Sequence, residues 1–374
     1  MMLREELTLL AERADRYPDP DAVLRLAGRR RTRTLLAASG AVLAVLAVAV
    51  AAAAWAPGRP HRPAAAGPVT VQFTPDWAGQ VPDQRVLDAV AALLTRRVAA
   101  LGLAGATVRA GTGTPGVIVL TVPGGTPDGT LAGLAAPGQL RIRLALASHR
   151  EPAGAPTAPA PNGTGPAPTL AQVQAKLGPA YPLALSFQDP DQVGPADAAR
   201  LAPFGGLSTA EVAALPVPVQ YAVPAVRCAQ LDPVPVAARP ADHPVTACGA
   251  DQDPVKYLLD AAAVTNVDVA AAVASDSPAN GGWGVQLVLT PAGQARFTGL
   301  TGFAAGHPYP TGEPRQVAIE VDGSVLVAPS AAEAITGDVL LAGPMFTAAG
   351  APLLAALLGA GPLPVRLRIT RIDR

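Results

Sequence analysis

The strongest constraint on this chain is a run of 20 residues, Leu35 to Ala54, that contains no charge. As a helix rising 1.5 Å per residue it spans about 30 Å, the thickness of a bilayer's hydrocarbon core. Eight of its residues are Leu or Val, each favouring insertion by about 0.3–0.6 kcal/mol. Arg29, Arg30, Arg31 and Arg33 precede the run, and only Arg59 and Arg62 follow it closely. That asymmetry predicts a cytoplasmic N-terminus, with everything after Trp55 outside the cytoplasm. A cleaved signal peptide is the rival reading. The polar stretch before the run is too long for one and carries several acids, and the run exceeds the usual length of about 7–15 residues. No Cys follows it, so lipoprotein processing is excluded. The expected layout is therefore a short cytoplasmic segment (1–34), one transmembrane helix (35–54) and a Pro/Ala-rich stalk (55–68). In the first segment, Leu3, Leu7 and Leu10 share a helical face.

Beyond the stalk, local patterns read as strand and helix in turn. Val69 to Phe73 alternates as a half-buried strand does. Asp83 is placed to cap a helix whose stripe runs Val86, Leu87, Val90, Leu93, Leu94, Val98, Leu101. Thr107 to Arg109 and Val117 to Val122 predict strands, followed by a short helix over 129–135 and a strand over 140–146. Together these make an α/β unit at 69–147. The stretch 148–227 is Pro/Ala-rich without periodicity and reads as an insertion, partly disordered, with one helix over Thr169–Leu177. In the last unit, 228–374, Lys256 to Leu259 and Val285 to Leu289 predict strands, and Pro291 marks a helix start. Asp322-Gly323, between Gln316–Val321 and Ser324–Val327, is a strong two-residue hairpin signal. A strand at 339–341, a helix over 347–358 and a strand at 365–369 complete an α+β fold. Its order is strand–helix–hairpin–strand–helix–strand, as in a ferredoxin-like sandwich.

Charge and motif content exclude several functions. Twenty-eight basic residues balance 28 acidic ones, so no excess positive field exists to hold a nucleic acid. His61, His149, His243 and His307 fall in Pro-, Ala- or Gly-rich surroundings without metal-ligand spacing. Ser208, Ser324 and Ser330 lack the setting of a hydrolase nucleophile, and no Gly-rich loop leads into a Lys. Gly281 to Gly284 reads as a turn. No catalytic residue, metal or cofactor is expected, and the chain is not expected to be an enzyme.

A family resemblance rests on particular segments. Leu289-Thr290-Pro291-Ala292-Gly293 with Phe297 and Leu300-Thr301, then Val317 to Gly323, Ala328-Pro329 and Ile335-Thr336-Gly337, resemble SecD in order and spacing. So do Gly343, Phe346-Thr347 and Gly361 to Val365. The similarity is to the first extracytoplasmic (P1) domain of SecD/SecDF, a membrane component of bacterial protein export. It covers roughly 69–146 and 254–370. The six-helix membrane part with intramembrane acids that the family uses for proton coupling has no counterpart among these residues. The resemblance thus implies a P1-type module on a single anchor rather than a motor. Relatives from GC-rich bacteria carry a cysteine pair like Cys228 and Cys248, the only cysteines here. Outside the cytoplasm that pair is expected to form a disulfide. The resemblance further implies a module that binds unfolded exported chains or translocon components. The proposed contact is a free outer edge of the 316–329 hairpin (Asp322, Gly323, Val325, Val327), and the competing reading has both sides of that hairpin paired. The alternative function is an envelope sensor with a cytoplasmic docking helix.

Overall fold

The computed structural model describes residues 67–76, 82–111, 115–151, 160, 166–231, 240–249, 254–277, 282–343 and 345–374. The expected cytoplasmic segment, transmembrane helix and nearly all of the stalk lie outside the described residues. Among the described residues no helix is long and apolar enough to cross a membrane.

The chain begins with β1 (Val69–Asp76), whose alternating burial matches its sequence pattern. Helix α1 (Gln84–Ala100) starts at Asp83, whose Oδ1 accepts the Val86 N–H at 2.9 Å. Its stripe buries Leu87, Val90, Leu93, Leu94 and Val98 against β1, β2 (Thr107–Ala110) and β3 (Ile118–Val122). Each buried side chain of this size contributes roughly 1.5–3 kcal/mol. Helix α2 (Asp128–Leu134) closes this layer, and the 11-residue strand β4 (Leu140–Arg150) then leaves it.

Next comes a cluster of short helices: α3 (Leu170–Leu177), α4 (Ala180–Ala184), α5 (Pro195–Leu201), α6 (Thr209–Ala213), α7 (Val217–Ala222) and α8 (Cys228–Leu231). Capping boxes at Thr169–Gln172 and Ser208–Glu211 start two of them. The described part of the stretch expected to be an irregular insertion is thus a helical unit, with Phe204, Leu207, Val212 and Val226 in its own core.

The remaining strands are β5 (Val245–Gly249), β6 (Val255–Thr265), β7 (Val269–Ser277) and β8 (Gly282–Leu289). Helix α9 (Pro291–Gly306) follows, capped by Thr290 with Pro291 in its first turn. Then come the hairpin β9 (Val317–Val321) and β10 (Ser324–Val327), β11 (Val339–Ala342), helix α10 (Gly350–Ala360) and β12 (Arg366–Asp373).

The fold is mixed α+β, and its elements follow the expected order, but they do not share one ferredoxin-like sheet. They divide into a four-stranded sheet β12-β1-β3-β2, a closed barrel β10-β5-β6-β4-β9 and a three-stranded sheet β11-β8-β7. The unit boundaries read from sequence therefore need correction. Strand β4, assigned to the first unit, runs between β6 and β9 in the barrel. The last strand, β12, returns to pair antiparallel with β1. Local pattern identifies a strand, but pairing is set by partners far along the chain, and here the partners cross the expected border.

One junction ties the four-stranded sheet to the barrel. The Arg97 guanidinium is fully buried and donates to the carbonyls of Leu134 (2.8 Å), Pro137 (2.7 Å) and Gly361 (3.1 Å). Burial pushes its pKa down to about 10. Gly138 sits there at φ +73°, and a Cβ on it would come within 2.8 Å of Arg97 Nη2.

Candidate functional site

The hairpin singled out by sequence forms as expected. Asp322 (φ 53°) and Gly323 (φ 92°) both take the left-handed conformation that a two-residue type I′ turn demands. Its edge, however, is not free where it was sought. Ser324 and Val325 pair in parallel with Cys248 and Gly249 of β5, which closes the barrel, and Val325 is buried inside it. Asp322 faces no partner surface either. Its carboxylate accepts from Gly138 N (3.1 Å) and Gln139 N (2.7 Å) at the sheet–barrel junction. Burial pushes its pKa up, against those two hydrogen bonds and the pull of Arg97 and Arg366. Asp322 thus sits at the junction and Val325 within the barrel, while Val327 lines a cleft.

A bulge makes the difference. The register between β9 and β10 slips between Val325 and Val327, and the chain then continues along β9 beyond the strand's end. Val317 N donates to Pro329 O at 2.9 Å and Ala331 N to Arg315 O at 3.0 Å. On the other side, β5 pairs only with Ser324 and Val325. Among the described residues, Leu326 to Ala331 therefore has strand partners on one side only. β11 is likewise an edge strand, with β8 as its single neighbour.

Both edges line one cleft of about 720 Å³, floored by Phe297 and Thr301 of α9 and by Val317 and Ile319 of β9. Ile335, Leu340 and Met345, three of the exposed large apolar side chains, also lie on its wall. Thr301, Ser330 and Asp338 are its polar points, and among the described residues no Lys or Arg lines it. Asp338 is already engaged, since its Oδ1 accepts from Leu289 N at 3.1 Å and Gln294 Nε2 at 3.3 Å. Chemically the cleft suits an uncharged, apolar, extended guest able to use unpaired backbone groups.

The other sequence candidates are dispersed. Cys228 and Cys248 are joined in a disulfide, Cα to Cα 5.7 Å. Ser208 caps α6, and Ser324 pairs within the barrel. His149 lies within β4, its Nδ1 3.1 Å from Asp191 Oδ1. His243 sits beside Asp242, and His307 stacks on Phe303; His61 lies outside the described residues. Among the described residues no three His, Cys, Asp or Glu side chains gather as a metal site would need.

Two buried clusters of charge escaped the sequence reading. Inside the barrel, Glu320 takes a 2.9 Å bond from Arg143 Nε and lies 3.6 Å from Arg141. Outside it, Lys256 is buried and donates to the carbonyls of Gln220 (3.3 Å), Val223 (3.0 Å) and Val226 (3.0 Å) of the helical unit. Burial pushes the Lys256 pKa down to about 7, against the attraction of Glu151 and Asp189. The signal was available, because a lone lysine in the apolar strand Val255-Lys256-Tyr257-Leu258-Leu259 must find acceptors.

Four of the five barrel strands, α9 and the cleft fall within a recognisable domain type; β4 lies outside it. Residues 245–365 match the family model of the SecDF P1 head subdomain. The chain is also 34% identical over 131 residues to the protein translocase subunit SecD of Streptomyces coelicolor, a match covering 34% of this chain and 22% of that relative. It thus spans about a fifth of that relative's length. A crystal structure of SecDF in a super-membrane-facing form superposes with TM-score 0.46 and 19% identity, over 84% of this chain and 32% of that one. A structure of SecDF described as a membrane component that enhances protein export gives TM-score 0.41 and 19% identity, over 82% and 99%. The two sequence matches, rather than these superpositions, define the domain. This chain carries a SecD P1-like domain.

Proposed function

We propose that this chain is a non-catalytic, membrane-anchored extracytoplasmic module of protein export. Its cleft holds extended apolar segments of exported chains while they are unfolded. One observation carries the reading: two strand edges, each with a strand neighbour on one side only among the described residues, line the same apolar cleft. An incoming strand would gain backbone hydrogen bonds from either edge and bury alternate side chains against Phe297, Ile319 and Ile335. The SecD P1-like domain and the relative's name as a translocase subunit support the export context. The uncharged run at 35–54 supports the anchor.

Isothermal titration of the full chain in nanodiscs with an unfolded secretory peptide tests this. A Kd near micromolar, about −8 kcal/mol, is expected, with Leu340→Asp weakening it at least about tenfold. Absence of heat up to millimolar peptide, with the protein folded, would remove the proposal.

A further inference from the structure

The helical unit is fastened to the barrel in an unusual way. Its apolar core is its own: the buried cluster runs from Val173 to Leu231, and the barrel contributes Cys248 to it. The seat is instead covalent and polar, and it follows one row across three adjacent strands. Cys248 of β5 stands opposite Lys256 of β6, which stands opposite His149 of β4. Directly opposed residues share a face of the sheet, and all three reach the helical unit. Cys248 is bonded to Cys228, Lys256 Nζ donates to three carbonyls, and His149 meets Asp191. Two further polar contacts flank the row. Glu151 Oε1 accepts from Cys228 N at 2.8 Å, and Thr246 Oγ1 donates to Val217 O at 3.1 Å.

We propose that this row is a redox-set latch, and that residues 170–231 form a module releasable from the barrel without unfolding the barrel or its cleft. Polar groups of this kind are solvated nearly as well by water once separated, so the polar contacts of the row oppose release only weakly. The Sγ–Sγ bond is what makes seating permanent. A dithiol supplies two electrons and two protons, the bond becomes two thiols, and the dithiol leaves as its own disulfide. Seating then rests on Lys256, His149 and the flanking contacts.

Hydrogen exchange read by mass spectrometry on the full chain in detergent tests the latch. It compares native protein, the same protein reduced with dithiothreitol after folding, Cys228→Ala/Cys248→Ala, and that double variant with Lys256→Met added. In the reduced and double-variant proteins, amides of 170–231 should exchange about a hundredfold faster, while β4, β6 and β9 keep native protection. Lys256→Met should add to the acceleration in 170–231 alone. Equal acceleration in the barrel strands would overturn the proposal, and so would unchanged exchange in 170–231. A bond that dithiothreitol cannot open in the folded protein over hours would also overturn it, because such a bond is a staple and not a latch. The post-folding reduction keeps the test valid if the variants fail to fold.

Discussion

Replacing Asp322 tests whether the hairpin turn is a structural keystone or a contact point for partners. In Asp322→Ala, the N–H groups of Gly138 and Gln139 lose their acceptor. Each unsatisfied buried donor costs about 1–3 kcal/mol, and both here are only part-buried, so the lower half of that range applies. Alanine must also hold φ 53°, which costs about 1 kcal/mol more. The burial that pushes the carboxyl pKa up is relieved by the substitution and returns part of this. The net loss should be about 3 kcal/mol, or a fall in Tm of about 4–5 °C in a chain of this size. Asp322→Asn keeps one oxygen acceptor and tolerates the left-handed conformation, so its loss should be about 1 kcal/mol. Thermal unfolding of the full chain in detergent reads both, alongside the titration with unfolded peptide. Peptide affinity should not change in either variant. An alanine variant as stable as the parent, or one that loses peptide binding while stability holds, would refute the keystone assignment.

Three other outcomes follow from the same structure. Lys256 has its folded pKa depressed from 10.5 to about 7, so between those values the unfolded chain holds more protons and this group's contribution to stability rises with pH. Denaturant titrations from pH 7 to 10 should show that rise in the parent and a flatter profile in Lys256→Met; parallel profiles would contradict it. Gly284→Ala should disrupt the β8–β11 pair, because its Cβ would lie 2.8 Å from the Leu341 carbonyl oxygen. A loss of about 2–3 kcal/mol with weakened peptide binding is expected, and unaltered binding would place the guest elsewhere. Cys228→Ala/Cys248→Ala should lower stability by about 3 kcal/mol, from the chain entropy returned to the unfolded state; denaturant midpoints equal to the parent's would count against a stabilising bond.

Features set by neighbouring residues were legible in the sequence. The Asp322-Gly323 turn, the Asp83 cap and the Thr290-Pro291 helix start each follow from local geometry, and each is present. Most strands were also legible, β5 and β7 being the exceptions, but their partners were not. Nothing in Leu140–Arg150 says that it pairs with residues more than a hundred positions away, nor that β12 returns to β1. The helical unit, apart from its first helix over 170–177, was hidden for a different reason. Its helices run four to eight residues, too short for a 3.6-residue period to register, and their Pro and Ala content resembles that of a loop. The cleft depended on one register slip after Val325, beyond which, among the described residues, β5 no longer pairs with the hairpin. A register slip of that kind carries no compositional mark.

The central claim, that the cleft holds exported chains, is tested most directly by site-specific photo-crosslinking in membranes carrying an arrested exported polypeptide. The crosslinker is placed in turn at Val327 and Leu340, which line the cleft, and at Arg109 on the distant four-stranded sheet. The account predicts adducts with the arrested chain from Val327 and Leu340 and none from Arg109. Adducts of equal yield from all three positions, or none from the two cleft positions, would contradict it.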